Sequence, residues 1–265
     1  MSVEGAAATQ MLDELFGQQL AGPRQLHSLD DGPGSAEAGD ALLEVLDGFR
    51  RYRPGDPSIV FSLDGIAEAP ARRLLDVLGE GEVTLTVVGN REYRVRETAL
   101  HGLWRVQVRD GDEVIAELLE IADVPAVVRA ANQTGTHAEL SIGDPPKEAM
   151  NVLPVLAELR HRSQTWRPGV ANHVVSFTLL PMNDADMKHL AQQLGHGPVR
   201  GESKGYGRCS VELTGHRNVW CVQHFNSVGA LVLDTLEVGD VPVALTAGAE
   251  DFEDSATRLA ELLGA

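Results

Sequence analysis

The chain has 265 residues and is 43% apolar, a composition ordinary for a globular protein that folds without metals or disulfides. Its 22 basic and 39 acidic residues give a formal charge of −17, which repels phosphate backbones and anionic lipids, so we expect no nucleic acid partner and no membrane insertion. The apolar runs are far shorter than the roughly 20 residues that span a bilayer, and the N-terminus lacks the basic segment of an export signal. We therefore expect a cytoplasmic protein, whose acidity either attracts a basic partner or maintains solubility.

Residues 1–38 are predicted to form a mobile N-terminal lead-in. A short amphipathic stretch at 11–16 is followed by sequence rich in glycine and aspartate. Such a composition cannot bury enough surface to offset the entropy lost on ordering. The segment is either a simple tail or a binding arm.

Beyond the lead-in, the sequence repeats itself at an offset of 116 residues, which becomes 117 after a one-residue insertion. The matching strings are Phe61–Leu63 with Phe177–Leu179, Trp104–Gln107 with Trp220–Gln223, and Glu120–Pro125 with Glu237–Pro242. One register held over about 90 residues with only small insertions is not expected by chance. We therefore predict a first repeat unit over 39–135 and a second over 148–265.

Each repeat predicts the same order of elements: helix, strand, helix, antiparallel strands and a last helix. The first helix ends near an Arg-Pro-Gly, because proline and glycine stop helices, and a β-rich run follows at 58–63 and 174–180. The second helix, at 70–78 and 184–194, ends at a Leu-Gly, and the strands then lead to an Asp-Val-Pro that can open the last helix. We predict an α+β fold in which two tandem repeats of a helix/antiparallel-sheet unit form a pseudo-twofold pair.

Positions that differ between the copies are the candidates for function, whereas the shared Trp104 and Trp220 are expected to pack in the core. The second copy adds polar and aromatic side chains to one hairpin. Such a mixture suits a protein recognition surface, and an ordinary exposed hairpin with glycine bulges is the alternative. The candidate partner-binding residues are Lys204, Tyr206, Arg208, Asn218, Gln223, His224, Phe225 and Asn226.

Two cysteines, Cys209 and Cys221, lie on the two arms of this hairpin. If Gly215 is the centre of the turn, the thiols fall opposite each other on one face, where they could bridge or share a ligand. The first copy has Tyr93 and Arg105 at these positions, so inert thiols are the alternative to a redox role. The sequence has no zinc-type spacing, no phosphate-binding glycine loop and no nucleophile elbow, so we predict no metal, no cofactor and no catalytic residues.

The second copy also carries strings that are recognisable as a family signature. They are Gly205–Cys209, Asn218–Ser227, Leu233–Val238 and the closing Glu250–Ala256. Together they resemble the C-terminal domain of the HupH/HyaF family of hydrogenase expression and maturation proteins. The resemblance covers roughly 150–262, and the first copy resembles a weaker version of the same domain.

The resemblance implies a non-catalytic, chaperone-like role in the maturation of nickel–iron hydrogenase. The implied partners are the precursor of the iron–sulfur small subunit, bound before its export through the twin-arginine pathway, and other hydrogenase accessory proteins, including a thioredoxin-like one. The family brings no catalytic residues to carry over. The alternative function is a redox or metal-handling protein in cluster assembly that uses Cys209 and Cys221.

Overall fold

Glycine and proline divide each repeat into short helices and strands of the predicted types. The computed structural model describes residues 24–25 and 36–264, except Leu179 and Tyr206. Of the predicted lead-in over 1–38, it describes only a two-residue strand and the first residues of a helix, so the rest of that prediction lies outside the described residues.

The described residues form six α-helices and eleven strands, and the predicted α+β class is confirmed. The helices are α1 (Ala36–Arg51), α2 (Glu68–Leu78), α3 (Ala126–Thr134), α4 (Val152–Thr165), α5 (Asp184–Leu194) and α6 (Ala249–Leu263). The first six strands are β1 (Arg24–Gln25), β2 (Ile59–Ser62), β3 (Val83–Val88), β4 (Glu92–Glu97), β5 (Leu103–Asp110) and β6 (Glu113–Ile121). The other five are β7 (His173–Ser176), β8 (Val199–Ser203), β9 (Arg208–Leu213), β10 (Val219–Phe225) and β11 (Leu231–Val238). None of the helices in this part of the chain is both long and apolar enough to cross a membrane.

The chain packs as two compact units whose limits differ from those of the sequence repeats. The first unit takes the described residues of 1–86, 90–127 and 246–265, and the second takes 87–89 and 128–245. Helix α6 therefore packs in the first unit, although it belongs to the second repeat in the chain. The predicted pseudo-twofold pairing of the repeats stays a prediction.

In the first unit, three helices cover a sheet with the strand order β1-β2-β6-β5-β4-β3. Strands β2, β6, β5 and β4 are antiparallel neighbours, and β1 pairs parallel to β2. Helix α1 presents buried side chains at helical spacing, namely Leu42, Val45, Leu46 and Phe49. Helix α6 completes this core with Phe252, whose ring centroid lies 4.8 Å from that of Tyr52.

In the second unit, α4 and α5 cover a sheet with the order β8-β9-β10-β11-β7. The neighbouring strands whose registers are defined are antiparallel. The buried side chains between these helices and the sheet are Val155, Leu156, Leu159, Leu190, Leu194, Val175, Val219, Leu236 and Val238. This packing leaves the β9–β10 and β10–β11 hairpins to carry the candidate site.

Two predicted boundaries are wrong, and each error has a local cause. The strand expected over 174–180 ends at Ser176, because the chain turns at Phe177 and Thr178, although the Phe177 N–H still donates to the Asp234 carbonyl. Pro125 opens α3 as predicted, but Pro242 opens only a 3-10 turn at Val243–Leu245. Helix α6 begins later, where the Asp251 carboxylate accepts the Gly248 N–H at 2.6 Å.

The two shared tryptophans are core residues, as predicted. Trp104 and Trp220 are both 0% exposed, one in β5 and the other in β10. Trp104 also donates its indole N–H to the Ala122 carbonyl at 2.7 Å, which ties β5 to the end of β6. Positions shared by the two copies thus serve the scaffold in this instance.

Candidate functional site

Strands β9 and β10 form the hairpin that carries the two cysteines. Their register pairs Cys209 with His224 and Cys221 with Glu212, which centres the turn after His216 and not at Gly215. Alternate residues of a strand point to opposite faces of a sheet, so the two thiols lie on opposite faces. The prediction that Cys209 and Cys221 face each other is therefore wrong.

The surroundings of both thiols keep them protonated at neutral pH. Burial raises the pKa of Cys209 to about 11, with a further contribution from Glu237. Burial likewise raises the pKa of Cys221 to about 12, helped by Asp234 and Glu212. Both cysteines are free. Because the thiolate is the reactive and metal-binding form, this environment disfavours redox exchange and metal binding.

Metal-binding geometry is also missing from the described residues. They contain no group of three or more His, Cys, Asp or Glu side chains that could hold an ion. The nearest approach at the hairpin is a 3.9 Å separation between Cys209 Sγ and His224 Nε2, which is one cysteine facing one histidine. One cysteine and one histidine are too few ligands for a tetrahedral zinc site.

Arg208 and Phe225 form an ordered pair at the far end of the hairpin. They face each other across β9 and β10, and the Arg208 guanidinium carbon lies 4.4 Å from the centroid of the Phe225 ring. A carboxylate oxygen of Glu202 lies 3.9 Å from Arg208 Nη1. The Arg208 side chain is still 51% exposed, so a held cation and an aromatic face are both available at the surface.

The loop between β8 and β9 closes against this pair. Gly207 has a φ of +107°, and a Cβ there would lie 2.7 Å from the Phe225 carbonyl oxygen, so this position requires glycine. Lys204 is exposed in the same loop. Tyr206 lies outside the described residues, so its predicted role stays a prediction.

Two other candidates have structural duties nearby, and a third, His224, faces away from the pair. Asn226 builds the β10–β11 turn, because its side-chain oxygen accepts the N–H groups of Val228 at 3.1 Å and Ala230 at 2.9 Å. Gln223 donates to Asp234 at 3.3 Å across the strands. His224 points to the opposite face of the sheet from Phe225, so it cannot join the Arg208–Phe225 pair.

Asn218 does not belong to this cluster, which corrects its place among the candidates. It precedes the first residue of β10, at the opposite end from Phe225, and it is 7% exposed. It accepts from Asn132 Nδ2 at 2.8 Å and donates its N–H to Asn132 Oδ1 at 2.9 Å. Its φ is +62°, and Gly102, 116 residues earlier, has +83°, so Asn218 keeps a shared left-handed conformation rather than adding a function.

An exposed apolar strip, which was not among the predicted site residues, lies next to the Arg208–Phe225 pair. Val228 is 84% exposed, Leu231 48% and Val232 53%. Leu231 pairs directly with Phe225. The sequence does contain this strip, as the apolar run 228–233, but such a run normally indicates a buried strand and not an exposed surface. The hairpin-end surface, as we use the term below, consists of Lys204, Arg208, Phe225, Val228, Leu231 and Val232.

Comparison with known proteins places this geometry in a family context. The chain matches one protein-family model twice, at residues 36–142 and 149–265. That family is described as the HupH hydrogenase expression protein, C-terminal conserved region. The hydrogenase expression/formation protein HupQ of Azotobacter chroococcum is 41% identical over 84% of this chain and 80% of its own. HoxQ of Azotobacter vinelandii is 42% identical with the same coverage. The hydrogenase-1 operon protein HyaF of Escherichia coli is 31% identical over 70% of this chain and 66% of its own.

Proposed function

This chain belongs to the HupH family of hydrogenase expression proteins, and on that premise we propose that it is a chaperone-like accessory factor in nickel–iron hydrogenase maturation. It acts in the cytoplasm, without catalysis, and binds the immature iron–sulfur small subunit before export. Other hydrogenase accessory proteins, including a thioredoxin-like one, work beside it. The observation that carries the binding role is the hairpin-end surface, which exposes aliphatic side chains next to an ordered cation and aromatic ring.

The composition of the hairpin-end surface supports binding to a protein. Arginine and aromatic residues are enriched at the energetic centres of interfaces, where they fill pockets of the partner. Arg208 and Phe225 already hold each other, so little side-chain freedom is lost when a partner covers them. Val228 and Val232, both more than half exposed, gain by burial against an apolar partner surface.

The charge of the whole chain supports a partner with a basic segment. At a net charge of −17, long-range attraction accelerates the encounter with a cationic chain more than it tightens the final complex. The paired arginines of a twin-arginine export signal supply such a segment. The association rate should therefore fall as salt is raised, while the dissociation rate changes little.

The double variant Arg208→Ala/Val228→Asp is expected to reduce recovery of the precursor small subunit at least tenfold. The change removes the surface cation and places a charge where an apolar contact forms, at a side chain that is 84% exposed and so not needed for folding. The measurement is co-purification of the precursor with the tagged chain. Val243→Asp, which is 83% exposed beyond the other end of β11, is the matched control. Equal recovery with the double variant and the wild type would reject the hairpin-end surface as the binding site.

The alternative, a redox or metal-handling role, predicts that Cys209 and Cys221 are needed. Because their thiols lie on opposite faces and are protonated, we expect the variant Cys209→Ala/Cys221→Ala to support hydrogenase maturation at the wild-type level. Hydrogenase activity in a strain that carries only this variant tests the expectation. Intact mass after mild oxidation of the purified wild type gives a second readout, expected to show no intramolecular disulfide. Loss of maturation by a folded variant would restore the redox alternative.

A further inference from the structure

The first unit contains an open groove that the proposed function does not use. Its volume is about 550 Å³, and it lies between the start of α2 and the exposed end of β6. Leu63, Ile66 and Leu75 form its apolar floor, and Val114 and Ile115 form one wall. Val114 is 40% exposed and Ile115 36%, although both belong to a strand. The groove thus has the size of a ligand site, and it sets a small apolar floor among mainly polar and charged side chains.

The wall at β6 is an open edge of the sheet. Strand β2 pairs with β6 up to Ser62 and Leu118, and the Leu63 N–H then donates to the Glu117 carbonyl at 2.9 Å. From there the chain leaves the edge, and no described strand flanks residues 113–116 on this side. Main-chain groups at such an edge can pair with an added strand.

A β-bulge shapes this edge, and the second unit has the same bulge. In the first unit the register skips Ile115, between the pairs Val108–Ala116 and Arg109–Val114. In the second unit it skips Val232, which is also exposed. A bulge is one of the features that discourage pairing at an edge, as charged side chains and short strands are, but both bulged residues here are aliphatic and uncharged. Aliphatic side chains at an open edge favour pairing with a partner.

The charges around the groove indicate which side chains a partner segment would carry. Four carboxylates line it, those of Asp64, Glu68, Asp76 and Glu117, together with two guanidinium groups. Arg72 is paired with Glu68 at 2.8 Å, and Arg105 with Glu117 at 2.5 Å. Asp64, whose Oδ1 also accepts the Glu117 N–H at 3.2 Å, and Asp76 leave the groove negative, which favours cationic side chains on the incoming segment.

We propose that this groove binds an extended segment of a partner protein, which adds as a strand to the exposed end of β6. Alternate aliphatic side chains of the segment pack on Val114 and Ile115, and its lysine or arginine side chains lie toward Asp64 and Asp76. Strand addition obtains affinity from main-chain hydrogen bonds and specificity from the alternating side chains. This is a second interaction surface, carried by the first copy, and it does not involve the hairpin-end surface.

The test uses a fluorescently labelled peptide of eight residues in which valine alternates with lysine and arginine. Fluorescence anisotropy measures its binding to the full chain. Ile115→Lys is expected to weaken binding at least tenfold, because it replaces an apolar contact by a like charge. Asp76→Lys, an exposed change on α2 that leaves the sheet untouched, is expected to weaken it about threefold or more. Val77→Lys, on the same helix but outside the groove and 46% exposed, is expected to bind as the wild type does.

Two further comparisons separate strand addition from simple charge attraction. The same peptide with N-methyl groups on alternate residues keeps its charge but loses main-chain donors, so we expect it not to bind. The Arg208→Ala/Val228→Asp variant is expected to bind the unmodified peptide normally. Absence of wild-type binding, equal binding by Ile115→Lys, equal binding of the methylated peptide, or loss of binding in the hairpin-end variant would each overturn the proposal. Since the two surfaces have separate variants, failure here leaves the test of the proposed function unaffected.

Discussion

Replacing Phe252 by alanine is expected to lower the free energy of unfolding by about 3–5 kcal/mol, the range found for phenylalanine removed from a core. Phe252 is 4% exposed, and its ring lies 4.8 Å from that of Tyr52 and 6.2 Å from that of Phe49, centroid to centroid. The ring also fills the space beside Gly102, where a Cβ would come within 2.5 Å of it.

Urea unfolding followed by tryptophan fluorescence measures this loss. Leu262→Ala is the control on the same helix, because Leu262 is 61% exposed and its truncation should change the unfolding free energy by less than about 0.5 kcal/mol. Trp104 lies in the first unit and reports on it directly. If Phe252→Ala lowers the free energy of unfolding no more than Leu262→Ala does, then α6 does not complete the core of the first unit.

The existence of α6 could be predicted from the sequence, but its partner could not. Helical spacing of apolar residues such as Phe252 and Leu259 indicates one buried face without saying which sheet that face covers. The repeat favours the second copy, since α6 lies within it in the chain. In the structure α6 packs with α1 in the first unit, which is a long-range contact that no local pattern encodes.

The register of the hairpin was mispredicted because one glycine was given the wrong role. The sequence predicts Gly215 as the centre of the turn, whereas the left-handed residue of the connection is Asn218. Gly215 is small for another reason: a Cβ there would lie 3.0 Å from the Leu194 carbonyl at the end of α5. An error in the turn centre changes which residues share a face, and it brought together two thiols that the sheet separates.

The candidate site itself was predicted in part. Divergence between the copies led to Arg208 and Phe225, which the structure places in direct contact. The same criterion also selected Asn226, whose oxygen shapes a turn, because a side chain that holds a loop differs between copies as readily as one that binds. The exposed Val228 and Val232 were missed, since sequence alone does not distinguish an apolar edge from a buried strand.

Asp186 is a further difference between the copies, and its role is structural. The first copy has Pro70 at the matching position. Asp186 is fully buried in the first turn of α5, where Oδ1 accepts the N–H groups of Met150, Asn151 and Val152 at 2.7, 2.9 and 3.0 Å. Those donors belong to the start of α4, so one carboxylate satisfies the open end of a neighbouring helix.

Replacing Asp186 by asparagine is expected to lower the free energy of unfolding by about 3 kcal/mol at pH 7, because the charged acceptor of several buried N–H groups is lost. Burial alone would raise the pKa of Asp186, but the N–H donors of Asn183, Asn151, Met150 and Val152 outweigh it and lower the pKa. A carboxyl group with a lowered folded pKa stabilises the fold above its unfolded pKa of about 3.9, and the stabilisation is lost as pH falls through the folded value. The difference between wild type and variant should therefore be full at pH 7 and shrink below about pH 4.

Urea unfolding at pH 7, 5 and 3 measures both the size and the pH dependence of this difference. Asp184→Asn is the matched control, because Asp184 lies in the same helical turn and is exposed. It loses the same weak contribution of a negative charge at the helix N-terminus, worth about 0.3–1 kcal/mol, and removes none of the buried hydrogen bonds. An equal loss in the two variants, or a loss for Asp186→Asn that stays constant from pH 7 to pH 3, would contradict the assignment. In either case the hydrogen bonds of the Asp186 carboxylate would not be what holds the start of α4 against α5, and another contact would have to fix these two helices together.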